Sequence, residues 1–575
     1  MRRMILALLV LLSGCAKVTV TFGNEARKPS ETTQPQPSST NEPQENVVVM
    51  FNDGIHGTFT GEAKSRSGMV TVEVTLEAGI IDKVEVLSCD DTPVIADAAK
   101  EGIVTRVRKE QNVTCEVVSG ATETSLAIQE AIKDALSKAD VDPTDYCREV
   151  NKENDTWKED EETDIVVVGA GMAGLSAAIE IKRSNPDMNV IVVEKNGYVG
   201  GSSRLAPGAI WVVNDKVNSE LTADLTLGQF CANLGNDIDT DMAGNIAAKA
   251  SDVLNYYLEH GLPTSKWNIK FPDTINEIPV FWSDHPEIGE SGYIDALEKM
   301  AKDLGVEIRL NTAMDSLVEG NGIEGVVVHD ETVSYRIKAK KVILACGGFV
   351  NNPSLIMQYA NMYYNRGFSY AVGGDGSGII SALYIGATIE GKGMCGSVGV
   401  DEIHGNTDSI GSLVFAADKV INTMGEEFGY AQAKKEALLN LVHAQPGSMA
   451  LGLFRSVRKD LDDARSAGYL KDYKTLDELA NAYGFERSKI IGLPEGPYSV
   501  LEIKPMYYGT LAGLAVDSEC RVLDKEGNPI ENLYAAGELV KHRLVVEGGG
   551  FDGTGLSLAA YTGALAADTA LAGIQ

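Results

Sequence analysis

Three glycines and one acid carry the first chemical signal in this sequence. Gly169, Gly171 and Gly174, with Ala173 beside the last, follow the apolar run Ile165 to Val168, and Leu175 to Ile181 reads as helix. A second apolar run, Val190 to Val193, ends at Glu194, twenty residues beyond the last glycine. Strand, glycine turn, helix, second strand and acid in that order predict a dinucleotide site. One glycine makes the tight turn, one lets a pyrophosphate approach the backbone, and one allows helix and strand to pack; the acid accepts from a ribose. A second signal lies upstream. Ser119, Gly120, Ala121 and Thr122 form a small-residue turn ahead of a helical run from Thr124 to Ala139. Such a turn offers free N–H groups and a positive dipole end to a phosphate.

These motifs sit in a chain of 575 residues, too long for one ordinary core, so several domains are expected. The formal net charge of −32 argues against nucleic acid as a partner and against anionic membranes held through a basic patch. Met1-Arg2-Arg3 followed by the apolar run Met4 to Leu12 reads as an export signal, too short to span a membrane. Leu11-Leu12-Ser13-Gly14-Cys15 resembles the bacterial lipobox, which implies lipidation at Cys15. Residues 16–47, rich in Ser, Thr, Pro, Gln and Glu, read as a disordered tether. The protein is therefore expected on the extracytoplasmic face of a bacterial cell membrane, attached by lipid alone. Eight cysteines occur without a C-x-x-C pair, so no structural metal site and no covalent haem are expected.

Among the elements that must position these groups, Met69 to Leu76 alternates apolar and polar residues. With Thr58-Phe59-Thr60 and Gly79 to Val86 it predicts antiparallel strands. This module, residues 48–140, resembles the FMN-binding domain of sodium-pumping quinone reductases and exported flavin reductases. The resemblance implies FMN held covalently through a phosphoester to Thr122, with Ser119, Gly120 and Ala121 shaping the turn and a flavin transferase needed for maturation. Glu116 stands where that family usually has Asp, which leaves non-covalent flavin open. Residues 141–162 read as an acidic linker.

From Thr163 onward the chain resembles the flavoproteins of fumarate reductase and succinate dehydrogenase, above all the exported flavocytochrome c-type and urocanate reductases. The resemblance rests on the Gly169 turn, on Gly200 to Gly208, on Cys346-Gly347-Gly348 closing a strand, on Gly373 to Gly376, on Ala535-Ala536-Gly537-Glu538, and on Gly553 to Ser557 opening a last helix. It implies non-covalent FAD, with Glu194 at the ribose and Ser202, Ser203, Gly208 and Asp375 at the flavin. It also places Glu538 toward the ribitol and Gly555, Leu556 and Ser557 at the isoalloxazine. The implied fold class is α/β: a Rossmann-like FAD-binding domain in two parts, 163–365 and 501–575, with an α+β capping domain at 366–500, preceded by the small α+β FMN module.

The substrate motifs depart from that family. Its C-terminal R-x-G-G arginine has no counterpart between Glu547 and Gly555, its histidine pair becomes Tyr507-Tyr508, and its proton-donor arginine becomes Lys435, with His404 nearest to a further histidine. Lys435 can donate a proton but lacks the bidentate fork that grips a carboxylate. Tyr508 can orient a carbonyl or give up a proton. The bland readings are that Tyr508 packs under the flavin and Lys435 lies on a solvated helix face. The expected function is reduction of an α,β-unsaturated carboxylate or enone other than fumarate. Electrons would come from a membrane quinol or flavin donor and pass through FMN and FAD. The alternatives are a ketosteroid-type dehydrogenase and a redox-shuttle lipoprotein without its own substrate.

Overall fold

The computed structural model describes residues 55–574 apart from 66–67, 78, 90–92, 116, 119–120, 140, 148–155, 207–208, 212–236, 271–276, 284–291, 331, 402–403, 406–408, 434, 456–460, 491 and 547–552. Cys15 and the tether lie outside the described residues. Three antiparallel strands open the described chain: β1 (Gly57–Lys64), β2 (Met69–Glu77) and β3 (Ile80–Cys89). Along β2 the residues Val70, Val72, Val74 and Leu76 are all fully buried, the period-two pattern of a sheet with one wet face. Helices α1 (Pro93–Glu110) and α2 (Thr122–Ser137) cover the other face. A Cβ at Gly61 would stand 2.0 Å from the Ala131 carbonyl oxygen, so strand and helix meet backbone to backbone.

The large domain is built on a parallel sheet. Strand β4 (Glu161–Val168) leads through a glycine turn into α3 (Met172–Ser184) and returns as β5 (Val190–Val193). Ile165 to Val168 are all buried, because a parallel sheet is covered on both faces. Helices α4 (Thr240–Glu259) and α5 (Gly292–Asp303) precede β6 (Glu307–Arg309), which adds beside β5. An antiparallel meander β7 (Ala313–Gly320), β8 (Gly322–His329) and β9 (Val333–Leu344) follows, and the far end of β9 runs parallel to β4. Helix α6 (Ser377–Tyr384) then leads to β10 (Ile389–Gly399). After α7 (Lys435–His443) comes β11 (Tyr498–Leu514). Strand β12 (Pro529–Ala535) joins the sheet against β9, and α8 (Thr554–Ala572) packs across α3. At that crossing a Cβ on Gly563 would lie 2.2 Å from the Ala173 carbonyl oxygen.

The 17-residue strand β11 spans the boundary expected at residue 500. Its first half pairs with Ala450–Phe454 and Leu470–Tyr473, and its second half with β10. The capping segment and the C-terminal segment thus share one strand. Arg543 ties the same region: its guanidinium donates to Asp239 at 2.5 Å, the N-cap of α4, and to Glu390 of β10 at 3.1 Å.

Candidate functional site

The nucleotide end is assembled by the glycine turn. Gly169 holds φ +103°, and a Cβ there would strike the Ala345 carbonyl oxygen at 2.5 Å. Gly171 caps α3, and its Cβ position meets only ordinary contacts at 3.6 Å and beyond. Gly174 abuts the turn, with 1.8 Å from its Cβ position to the Gly169 oxygen. The three positions thus divide into turn, open approach and close packing. Glu194 is buried and accepts from the Ala170 N–H at 2.8 Å and the Asn196 N–H at 2.9 Å, one on each oxygen. Burial pushes its pKa up against those two bonds. Each oxygen keeps acceptor capacity for a ribose hydroxyl. The Ser203 hydroxyl accepts from the Met172 N–H at 3.3 Å, and Ser202 both donates to and accepts from the Val372 backbone. Ala173 is packed into the core. Gly208 lies outside the described residues.

Next to this turn, Gly373, Gly374 and Gly376 all take positive φ and present Asp375. Its carboxylate accepts from Lys195 at 2.5 Å and from the Ser377 N–H at 3.0 Å. Burial opposes its charge, but Lys195 and Ser377 outweigh it and hold the pKa below the ordinary value. The Cys346 thiol lies nearby, pushed up to about 12 by burial.

A second group of the expected residues gathers where β10, β11 and the 3₁₀ turn Gly537–Arg543 meet. In the β10–β11 ladder Cys395 faces Gly509 and Gly396 faces Tyr507, so Tyr508 is the extra residue of a β-bulge. Bulges re-aim a side chain, and Tyr508 is 39% exposed where Tyr507 is 4% exposed. Tyr507 donates to the Tyr363 carbonyl at 3.3 Å, and the Tyr363 hydroxyl donates to Asn440 at 2.9 Å. Glu538 accepts from the Thr510 N–H at 2.7 Å and its hydroxyl at 3.0 Å. Burial raises its pKa, against Lys541, Thr510 and the Gly348 N–H. The Lys541 ammonium donates to Cys395 Sγ at 3.0 Å. Gly553 caps α8 with φ +90°; Leu556 and Ser557 turn into the core, the latter donating to the Gly553 carbonyl at 2.8 Å.

The other expected residues lie elsewhere. Lys435 is the first residue of α7, and its side chain is outside the described residues. The His404 ring packs edge-on against Tyr469, and its backbone N–H donates to Asp401 at 2.8 Å. It closes a turn. In the small module Thr122 is the first residue of α2 and Ala121 its buried N-cap. Ser119, Gly120, Glu116 and the side chain of Thr122 lie outside the described residues.

FAD fits this framework. Among the described residues a Cβ at Gly347 or Gly555 would meet no atom within 4 Å, and both positions are open to solvent in the flavin-free chain. Gly347 stands next to Gly348, whose Cβ position abuts the Glu538 carboxyl group, and Asp375 is held on its own glycine turn beside Lys195. In the small module the N-terminus of α2 at Thr122 offers its dipole to the phosphate of an FMN. Residue types alone did not single out Lys195, Thr510, Cys395 or Lys541. Two of the four were signalled by position: Lys195 follows Glu194 directly, and Lys541 stands three residues after Glu538.

A sequence profile of the FAD binding domain matches residues 164–398 and 453–555, more than half of the chain. One of the FMN-binding domain matches residues 66–137. The urocanate reductase of Eggerthella lenta is 25% identical, with 84% of this chain and 88% of that protein aligned. A probable fumarate reductase of Shewanella frigidimarina is 25% identical over 66% of this chain and 70% of its own. In fold, the chain resembles the open conformation of a flavocytochrome c3 fumarate reductase, with a TM-score of 0.59, 22% identity, and 71% and 78% of the two chains covered.

Proposed function

The chain belongs to the FAD binding domain family, with an FMN-binding domain ahead of it, and from that premise we propose an exported, lipid-anchored reductase of a C=C bond conjugated to a carbonyl. It is a flavin-dependent oxidoreductase of the CH–CH class. When bound, FAD supplies the hydride and FMN on Thr122 relays electrons to it from a membrane quinol or flavin donor. The chain's own residues do the rest. Glu194, Asp375 and Glu538 would hold FAD, with the amides of the Gly171 and Gly347 turns. The Tyr508 phenol polarises the substrate carbonyl, and Lys435 or Tyr508 delivers the proton.

The bulge at Tyr508 supports this reading, because it turns one phenol out of a buried strand, next to Gly509, whose Cβ position abuts Glu538. The activities of the relatives on urocanate and fumarate support an activated alkene as substrate. Without an arginine fork after Glu547, a bulky or aromatic enoate or an enone fits better than a dicarboxylate. Attachment through Cys15 and the outer membrane face follow from the N-terminal sequence.

The test is to reduce the flavins and screen unsaturated acids and enones for reoxidation. Failure across fumarate, urocanate, cinnamates and enones would refute the reductase. Thr122→Ala is expected to abolish turnover with a quinol donor and to spare turnover with a reduced dye. Survival of both activities would remove the relay.

A further inference from the structure

Glu538 and Lys541 stand three residues apart on the 3₁₀ turn Gly537–Arg543. Side chains at that spacing eclipse one another in a 3₁₀ helix, so acid and ammonium share one face. Glu538 is wedged between two glycines. Side chains at Gly348 and Gly509 would approach its carboxyl group to 2.1 and 2.7 Å. The residue before Gly348, Gly347, takes φ +78°, and a Cβ there would meet no atom of the described residues within 4 Å. On the other side the Lys541 ammonium rests on Cys395 at 3.0 Å, directly across the ladder from Gly509 and beside the bulged Tyr508. Burial disfavours the ammonium, yet Cys395 and Glu538 outweigh it and keep it charged above its ordinary range.

We infer that Lys541 is a positioning residue for the flavin: it offsets the charge of Glu538 beside the FAD and so sets how readily that flavin accepts electrons. A carboxylate alone at this place opposes the negative charge that reduction adds. An ammonium on the same face of the turn reduces that opposition. The inference rests on the FAD assignment, which release of the non-covalent flavin from the wild-type protein and its identification as FAD by chromatography checks separately.

The experiment uses the full chain loaded with both flavins. Reduction of FAD is titrated against a reference dye, and FAD retention is measured by fluorescence. Lys541→Met is expected to lower the equilibrium constant for FAD reduction at least tenfold, about 30 mV for a two-electron couple. Lys541→Arg should stay within about threefold of wild type, since it keeps the charge. Lys541→Met in a Glu538→Gln background should change little further, because the charge to be offset is gone. A constant within about twofold of wild type in Lys541→Met would overturn the inference, as would independent, additive effects in the double variant. If Lys541→Met retains no FAD, Lys541→Gln, which keeps a polar donor without the charge, decides: a constant at least tenfold below wild type supports the inference and a wild-type constant refutes it.

Discussion

Gly555 gives the sharpest separation between folding and cofactor binding. It is the second residue of α8, and among the described residues a Cβ there meets no atom within 4 Å. Gly555→Ala therefore creates no clash in the flavin-free protein. Replacing glycine by alanine inside a helix gains about 0.5–1 kcal/mol from backbone entropy and propensity, somewhat less in the first turn. On the proposed placement of FAD, the same methyl group would stand against the isoalloxazine. Pushing the isoalloxazine off the α8 backbone by the width of that methyl weakens binding at least tenfold, about 1.4 kcal/mol. Stability and affinity thus move in opposite directions. Gly174→Ala supplies the contrast: its Cβ would lie 1.8 Å from the Gly169 oxygen, so the turn itself must shift, costing about 3 kcal/mol. There, the fold and FAD binding fail together. The assay is a thermal melt of flavin-free protein paired with an FAD titration by fluorescence quenching. Wild-type FAD affinity in Gly555→Ala would refute the placement of the flavin over α8.

Two other outcomes test the reaction end and the turn at Asp375. Tyr508→Phe should reduce reoxidation of the flavins by substrate about 10²–10⁴-fold in stopped flow, with the melt of the flavin-free protein unchanged, because the side chain is partly exposed on a bulge. A Tyr508→Phe enzyme at wild-type rate would return the residue to mere packing. Asp375 has a folded pKa below its ordinary value, near 4 for a free aspartate. Its ion pair with Lys195 is therefore fully formed above about pH 4 and disappears as the pH falls through the lower, folded value. FAD retention should decline in that acid range, and Asp375→Asn should weaken FAD at neutral pH while flattening the acid limb of a retention-against-pH curve.

How much of the molecule was legible in its residues follows from how local each feature is. The turn at Gly169, the strand Ile165 to Val168 and the cap Gly553 are specified by residues within one short segment, and each is found where the spacing put it. Helix α1 is not signalled in the same way. It carries Gly102 and several valines, poor helix formers, and is held by burying Ala99, Ile103 and Val107 in the module's core, with Val118 close against Gly102, where a Cβ would lie 2.4 Å from its methyl group. Tertiary contact overrides propensity there. The reaction end was legible only in part for the same reason. Tyr508 could be placed by its motif, but its direction depends on the bulge opposite Cys395, more than a hundred residues away. The partner of Asp375 is Lys195, 180 residues distant, and no periodicity in either segment encodes that meeting. The pair Glu538 and Lys541 is the exception, since it is local in sequence. A helical reading of Gly537–Arg543 would align the two, whereas an extended reading would set a three-residue pair on opposite faces. The choice between readings needed the ends of β12 and β11 that bracket the turn. Charge chemistry at the flavin is thus encoded locally in residue type and non-locally in direction, and direction is the part that decides the reaction.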